Sequence, residues 1–490
     1  MSSEAFHDRT VLPSAVSRYE LVSFILLLLI LAWAPFPLGS NRPWAWSLLS
    51  LLIASSWLLW SISAWRHPDT ARGLARGLLM PWILALLALA WGVVQVLPVV
   101  PQAWAHPAWR MAAEALGKPL AGVISLSPWR TVTDVMKLGS YLMVAWLARV
   151  HGARNERAAM LLGGLIVIGA CYIVYGFALT SLGQSQFSIF YGLTARSEVR
   201  NLAGPFVNHN SYATYAGLIA LAAGVKLVGD GWSEIAIVVG ARRLALTALH
   251  YVFGHGGVWL AAALLALSAV IATGSRGGNF ATFSALAVLL VLSIALAFRQ
   301  ARGGHAVGVT LFVGAGLIGL FAISGAFLGA RLDDMSASGL TDDTRLMLWN
   351  AALRMIHDAP LTGQGLGTYQ LAYPFYAQRM MPFIMDKAHN DYVELAAGWG
   401  LPAAILWWLA LAWLIGLCVR GVLVRRRYRV YPMLAVGASI LVGVHSIFDF
   451  SLQMPAIAVT FAAILGLGVA QAFPARAHDR SKPAGERGTP

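Results

Sequence analysis

Apolar runs of about twenty residues recur along almost the whole chain, and they constrain its fold more than any other feature. They lie at residues 21–38, 44–65, 78–99, 134–150, 157–180, 210–228, 251–273, 279–298, 306–329, 391–418, 431–450 and 454–473. A helix of this length reaches across the hydrocarbon core of a bilayer, where the backbone must satisfy its own hydrogen bonds. The sequence therefore predicts an all-α polytopic membrane protein with about twelve transmembrane helices.

Composition excludes the main soluble alternatives. Of 490 residues, 58% are hydrophobic and only 11% are charged, and no soluble core could hide that much apolar surface. The net charge of +14 is typical of the cytoplasmic loops of membrane proteins, so we expect no nucleic-acid partner. Cys171 and Cys418 both fall inside apolar runs, so we expect neither a disulfide nor a metal site built on them.

Basic residues set the expected orientation. If Met1 is cytoplasmic, most of the 35 Lys and Arg residues fall in cytoplasmic connections, as the positive-inside rule requires. Both termini should then be cytoplasmic, with the first run kept as a membrane anchor. Three long segments should face outward, at residues 100–133, 181–209 and 332–387.

The third outward segment differs from a disordered linker because it carries its own apolar pattern. Leu346, Leu348, Trp349, Ala352 and Met355 follow helical spacing, and Pro360 and Gly363 break the pattern. We therefore expect a folded cap that contains a helix.

Three polar motifs precede apolar runs at the outward side. They are R-N-L-A-G-P-F-V-N-H-N at residues 200–210, T-G-S-R-G-G at residues 273–278 and K-A-H-N-D-Y-V-E at residues 387–394. Each should lie at a helix N-terminus, where unpaired N–H groups and a partial positive charge favour phosphate. Arg200 and Arg276 add guanidinium groups that can grip two anionic oxygens at once.

Simpler roles compete with a functional one for most of these side chains. A lone Arg at a helix end often anchors to lipid headgroups, and Asn208 and Asn210 are typical helix caps. His445 and Asp449 share a helical face, which favours a structural hydrogen-bonded pair. Arg276 is harder to explain in this way, because it lies in a Gly-rich turn against the prevailing charge bias.

Taken together, the motifs resemble the O-antigen ligase and Wzy-type polymerase superfamily. The resemblance rests on residues 200–210 and 275–277, on Arg345-x-x-x-Trp349 followed by P-L-x-G-x-G-x-G at 360–367, and on His389-Asn390-x-Tyr392-x-Glu394 with Gly398 and Gly400. It covers residues from about 200 to 450, and the first 180 residues carry no recognisable motif.

The resemblance implies a GT-C-like membrane glycosyltransferase with a large, partly helical periplasmic loop before its last three spans. It implies a bacterial inner-membrane location, a glycan donor on undecaprenyl pyrophosphate, and an inverting mechanism without metal or other cofactor. The acceptor would be lipid A-core in a ligase or another lipid-linked glycan in a polymerase, and we favour the ligase slightly. The implied domains are residues 1–180, residues 181–473 with a periplasmic loop at 332–390, and a cytoplasmic tail at 474–490.

We assign Arg200 and Arg276 to the donor diphosphate and His389 to the acceptor hydroxyl as a general base, because imidazole titrates near neutral pH. His209 is a rival histidine. Secondary candidates are Asn208, Asn210, Arg345, Asn390 and Glu394, and Asp391 and Glu394 are rival bases. A lipid-linked glycan transporter stays open as the alternative of another class, although its polar groups would be expected nearer the bilayer midplane.

Overall fold

The computed structural model describes residues 17–75, 77–192, 201–235, 241–300, 342–378, 384–425 and 427–473, and these residues contain helices and no strand. The α-helices are α1 Arg18–Trp33, α2 Pro43–Arg66, α3 Pro68–Ala75, α4 Leu79–Val94, α5 Pro107–Leu116, α6 Pro128–His151, α7 Asn155–Ser181, α8 Gln186–Tyr191, α9 His209–Ile235, α10 Ala241–Phe253, α11 Gly256–Ala272, α12 Arg276–Gln300, α13 Asp342–Asp358, α14 Tyr369–Tyr376, α15 Asp391–Trp399, α16 Leu401–Val424, α17 Val430–His445 and α18 Pro455–Ala472. Short 3-10 helices occupy Leu38–Ser40, Gln102–Trp104 and Ser451–Gln453.

Six helices within the described ranges are long and apolar enough to cross a membrane, which confirms an all-α polytopic membrane protein. They are α2, α7, the His209–Gly231 part of α9, the Arg276–Leu296 part of α12, α16 and α18. Three shorter apolar helices are α4, α11 and α17. The count of twelve spans stays a prediction, and the run at 306–329 lies outside the described residues.

The predicted span at 391–418 is wrong as a single helix. It is divided into α15 and α16 at Gly400, whose φ of 81° departs from the helical region. Hydropathy gives no sign of this break because apolar residues continue on both sides of it. Because of this break, α15 is a separate helix, and it connects the cap to the start of α16.

Helix α18 lies at the centre of the bundle and is buried along its whole length. It packs against α6, α16 and α17. Gly466 and Gly468 have no side chain and so allow the close approach. A helix buried on every side fixes the relative positions of its neighbours, including those that carry polar groups.

The described part of the cap, at residues 342–378, is folded, as the sequence predicts. Leu348, Ala352 and Met355 of α13 are buried together with Tyr369 and Ala372 of α14. The predicted helix in this region is therefore confirmed as α13.

The N-terminal helices hold the cap through a set of contacts that we call the glycine clasp, formed by Gln95 and residues 360–368. The Nε2 atom of Gln95 donates to the carbonyl oxygens of Thr362 at 2.7 Å and Gly398 at 2.9 Å. Its Oε1 atom accepts from the Leu366 N–H at 3.1 Å. One side chain just beyond α4 thus ties the loop after α13 to the C-terminal end of α15.

The glycines of the clasp are required by its geometry. Gly363, Gly365 and Gly367 have φ values of 68°, 103° and 74°, which side chains disfavour. A Cβ atom on Gly365 would also lie 2.8 Å from the Cα atom of Ser125. The P-L-x-G-x-G-x-G motif is therefore a structural joint in this protein.

Candidate functional site

Three helix N-termini meet at one end of the bundle, each at a motif that the sequence predicts. Helices α9, α12 and α15 begin at His209, Arg276 and Asp391. The loop before α9 reaches the end of α11, where the Leu202 N–H donates to the Ala272 carbonyl oxygen at 3.4 Å. Arg200 lies outside the described residues, so its predicted role stays a prediction.

His389 lies just before α15 and is held on both sides by its neighbours. The backbone N–H of Ala388 donates to Oε2 of Glu394 at 2.7 Å. The Oδ1 atom of Asn390 caps α15 by accepting from the N–H groups of Tyr392 and Val393 at 3.0 and 3.1 Å. His389 itself has a φ of 53°, and its side chain is only 12% exposed.

The imidazole of His389 faces the carboxylate of Asp449. Its Nδ1 atom lies 3.2 Å from Oδ1 of Asp449, although the contact lacks the angles of a hydrogen bond. Catalytic hydrogen bonds are often loose before substrate binds, so this geometry is compatible with a working pair. The ring of Phe450 packs edge-on against the imidazole at 4.9 Å between centroids.

Asp449 is a buried carboxylate whose charged form is favoured by its surroundings. Burial alone would raise its pKa, but the contacts with His389, His445 and the Phe450 N–H outweigh that effect and hold the pKa below its usual value. Oδ1 accepts the Phe450 N–H at 2.8 Å, while Oδ2 is buried with no partner. A buried negative charge therefore stands beside His389.

The prediction that His445 and Asp449 form a hydrogen-bonded pair is wrong, because each side chain contacts other residues. His445 Nδ1 contacts the hydroxyls of Thr214, at 2.9 Å, and Ser451, and the Asp449 carboxylate is left to pair with His389. The reason is that α17 ends at His445, so Asp449 lies beyond the helix on which the spacing argument depended. The two side chains still interact electrostatically.

Arg276 begins α12 beside these groups. Ser275 caps the helix by accepting the Gly278 N–H at 3.1 Å, and a Cβ atom on Gly277 would lie 3.3 Å from the ring of His445. The Arg276 side chain is exposed, and no carboxylate among the described residues pairs with it. It is therefore a cation available to a ligand at a helix N-terminus.

Two further residues interact electrostatically with members of this group, Arg345 with His445 and His209 with Asp449. Arg345 of the cap acts electrostatically on His445, and its Nε atom is buried without a partner. The His209 side chain interacts electrostatically with Asp449 and with the backbone of Thr273, and its Nδ1 atom is buried without a partner among the described residues. We call His209, Arg276, Arg345, His389, His445 and Asp449 the histidine cluster.

The histidine cluster contains several buried polar atoms that have no hydrogen-bond partner among the described residues. Nearly all buried polar atoms in folded proteins have a hydrogen-bond partner, yet His209, Arg345, His389 and Asp449 each contribute one without. Such atoms fit a polar ligand that brings its own donors and acceptors. Across the described ranges, no three His, Cys, Asp or Glu side chains are grouped to hold a metal ion.

Comparison with known families identifies part of the chain. Residues 261–407 match a family model described as O-antigen ligase. The predicted O-antigen ligase and Wzy-type superfamily is confirmed for this segment. The match includes Arg276, Arg345 and His389, whereas Arg200, His445 and Asp449 lie outside it. A search of curated proteins gave no match to the chain.

Within this O-antigen ligase segment, the two rival bases are engaged in structural contacts. The Asp391 carboxylate accepts from Ser446 Oγ at 2.7 Å, the Leu452 N–H at 3.1 Å and Gln453 Nε2 at 3.0 Å. Burial raises its pKa to about 7, an effect that these three donors oppose. Glu394 holds the Ala388 N–H and lies 3.6 Å from Lys387.

Asn208, just before α9, fits the simpler role, and Asn210 lies inside the first turn of that helix. Asn208 Oδ1 accepts the Asn210 N–H at 2.7 Å, which is a local turn contact at the start of the helix. Asn390, in the O-antigen ligase segment, is likewise a helix cap, at the start of α15. These contacts explain Asn208 and Asn390 without assigning either side chain to substrate.

Asp449 is the residue that sequence reasoning misplaced. It follows His389 by sixty positions, and only the packing of α15 against the loop after α17 brings the two together. The available signal was an acidic residue near the end of an apolar run, which by itself indicates no partner.

Proposed function

We propose that this protein transfers a glycan from undecaprenyl pyrophosphate to a sugar hydroxyl at the periplasmic face of the bacterial inner membrane. The observation that carries the proposal is the buried pair of His389 and Asp449 together with Arg276 at the N-terminus of α12, a cation with which no carboxylate among the described residues pairs. The O-antigen ligase match over residues 261–407 supports the same class of reaction.

The cationic side of the histidine cluster suits the donor. When the glycosidic bond to a diphosphate breaks, negative charge grows on the leaving oxygen, and a fixed cation stabilises that charge more than the bound donor. Arg276 can grip two phosphate oxygens, and the N-terminus of α12, where Ser275 already accepts the Gly278 N–H, adds a partial positive charge. Arg200 would add a second guanidinium, and Arg345 a third from the cap.

His389 and Asp449 suit the acceptor. With a proton on Nδ1 facing Asp449, the Nε2 atom of His389 is left to accept a proton from the sugar hydroxyl. The hydroxyl oxygen then bonds to the anomeric carbon as the carbon–oxygen bond to the diphosphate breaks. The leaving group takes the bonding electrons, the imidazolium is stabilised by the Asp449 carboxylate, and its proton passes to solvent. A direct displacement of this kind inverts the anomeric centre.

A reconstituted reaction tests the proposal. Purified protein in liposomes, supplied with an undecaprenyl-linked oligosaccharide and lipid A-core, should release undecaprenyl pyrophosphate and yield glycosylated lipid A-core. A transporter would release no undecaprenyl pyrophosphate. We favour lipid A-core as acceptor, and a deletion strain should then lose every long chain from lipid A-core, whereas a polymerase deletion would leave a single repeat attached.

Orientation is tested separately by labelling. Cysteine at Asn350 of α13 should react with a membrane-impermeant reagent after the outer membrane is permeabilised, and cysteine at Arg425 should not. The opposite labelling would place the histidine cluster on the cytoplasmic side and exclude the proposed reaction.

A further inference from the structure

A buried arginine lies at the end of the bundle away from the histidine cluster. Arg149 is in the last turn of α6 and is only 7% exposed. Its guanidinium group lies 5.5 Å from the ring centroid of Phe473, which follows α18 at the end far from His445. The Nε atom of Arg149 is buried and has no hydrogen-bond partner among the described residues. A buried charge is costly unless it is compensated, so this arginine requires an explanation.

Neighbouring arginines show how the protein compensates such a charge elsewhere. Arg157 is almost as buried as Arg149, and its Nη1 atom lies 2.5 Å from Oε1 of Glu20. Arg154 lies 3.6 Å from the same carboxylate oxygen. In the described ranges, no carboxylate pairs with Arg149 in this way. The C-terminus of α6 favours a cation through its partial negative charge, but Arg149 keeps a charge and a hydrogen-bond donor that a ligand can use.

A second arginine meets the first at Phe473. Arg425, just after α16, donates from Nη1 to the Phe473 carbonyl oxygen at 2.9 Å. Its Nε atom is also buried without a partner in the part of the chain that the structure describes. We call Arg149 and Arg425 the inner arginine pair. Two guanidinium groups on either side of one residue can hold a single anion, and their planar shape matches the oxygen atoms of a phosphate group.

The surroundings of the inner arginine pair favour the phosphate of a lipid. The distribution of basic residues predicts that this end of the bundle is cytoplasmic, and Arg420 and Arg427 add exposed cations nearby. Basic pockets between helix ends on this side of a membrane bind acidic headgroups. The C-terminal segment 474–490 is another source of carboxylates. It carries four Lys and Arg residues against two acidic residues, so its net charge opposes binding to a pair of arginines.

We propose that the inner arginine pair binds the phosphate of an acidic phospholipid in the cytoplasmic leaflet. Arg149 belongs to α6 and Arg425 follows α16, so one bound phosphate joins the N-terminal helices to the C-terminal ones. This site lies apart from the histidine cluster, and the proposal does not depend on the transfer reaction. It gives the lipid a role in holding the two parts of the bundle together.

Thermal unfolding of the purified full chain in detergent tests the site. Phosphatidylglycerol should raise the midpoint temperature by about 2 °C or more above the value with phosphatidylcholine of the same acyl chains. In Arg149→Met, this difference between the two lipids should disappear. Without added lipid, the variant should unfold at the wild-type temperature or above it, because a buried charge without a partner has been removed. A variant that is less stable in every condition would show that Arg149 serves only to pack the bundle.

A second variant and a direct binding measurement support the test. Arg425→Gln should also reduce the effect of phosphatidylglycerol, and native mass spectrometry should show about tenfold weaker retention of this lipid in either variant. Arg66→Gln is the matched control. Arg66 also lies over an aromatic ring, 4.8 Å from the centroid of Tyr19, but it is exposed, so its loss should leave phosphatidylglycerol binding unchanged.

Four outcomes would overturn the proposal. Phosphatidylcholine could stabilise the protein as much as phosphatidylglycerol, or the effect of phosphatidylglycerol could persist in Arg149→Met. Inorganic phosphate alone could produce the full shift, which would assign the pair to a free anion. Finally, the double variant Asp479→Asn and Glu486→Gln could lower the midpoint temperature of a protein that does not respond to lipid, which would assign the pair to the C-terminal segment.

Discussion

The glycine clasp and the histidine cluster lie at opposite ends of α15, and they treat polar groups in opposite ways. In the clasp, both functional atoms of Gln95 are paired, and the glycines leave no room for side chains. In the histidine cluster, buried atoms of His209, Arg345 and Asp449 have no partner. The clasp end satisfies the polar atoms of Gln95 but leaves the buried indole N–H of Trp399 without a partner among the described residues, whereas the cluster end leaves one such atom on each of four residues. The difference indicates that the clasp fixes α15 so that the cluster can receive a ligand.

Removing the imidazole of His389 is the strongest test of the difference between the clasp and the histidine cluster. His389→Ala should slow glycan transfer about a hundred-fold to ten-thousand-fold, as expected for loss of a general base, without lowering thermal stability. The rising limb that the base imposes on the pH–rate profile should disappear in the variant. His357→Ala is the matched control, because His357 also lies 3.2 Å from an aspartate but is exposed on α13. Normal transfer by His389→Ala together with loss in His209→Ala would assign the base to His209.

Next in size is the effect of changing the shape of a cation. Arg276→Lys keeps the charge but loses the two-pronged grip, and should lower transfer about ten-fold to a hundred-fold at normal expression, since charged hydrogen bonds contribute about 1.5–3 kcal/mol. The exposed Arg110, on α5, provides the control Arg110→Lys. Unchanged transfer rates would mean that Arg276 only anchors α12 to lipid headgroups.

A smaller effect on the transfer rate, with a more specific signature, is expected from a change at the Asp449 carboxylate. Asp449→Asn keeps the size of the side chain and removes its charge, so transfer should fall about ten-fold, at the low end for a charged hydrogen bond. Loss of the negative charge disfavours the protonated imidazole, so the rising limb of the pH–rate profile should move to lower pH. A profile that keeps its position while the rate falls would give Asp449 a purely structural role.

A change in the clasp should lower the stability of the protein and have little effect on the chemistry of transfer. Gln95→Ala leaves the Leu366 N–H and the Thr362 carbonyl oxygen unpaired, at a cost of about 1–3 kcal/mol for each buried group that water cannot reach, while the Gly398 carbonyl oxygen still accepts the Gly365 N–H. The melting temperature in detergent should fall, while the pH–rate profile of the folded enzyme keeps its shape. Gln102→Ala is the control at an exposed glutamine. A changed pH profile in Gln95→Ala would show that the two regions are coupled.

Features that depend on local pattern were predictable from the sequence, and features that depend on distant contacts were not. Apolar length predicted the helical membrane class, and the polar motifs predicted the starts of α9, α12 and α15. Hydropathy could not reveal the break at Gly400, because a backbone angle leaves no trace in side-chain polarity. The pairing of His389 with Asp449 is a tertiary contact, and no spacing rule connects residues so far apart.

The first 180 residues illustrate the same limit. They carry no motif that indicates chemistry, yet Gln95 holds the clasp, and Asp134 and Lys137 line a cavity together with Lys387 and Glu394. These roles arise only when α4 and α6 pack against the cap and α16. A residue whose partner lies more than two hundred positions away gives no local signal of its role.

The left-handed backbone at His389, with its φ of 53°, has a consequence for how the base is aimed. A residue with a side chain pays a conformational penalty of about 1–2 kcal/mol to adopt this geometry, and glycine would be free of it. Because Glu394 and the Asn390 cap restrain the neighbouring residues, the main chain itself turns the imidazole toward Asp449. The protein thus holds its proposed base in a backbone conformation of higher energy. This conformation sets the direction of the imidazole ring before any substrate arrives.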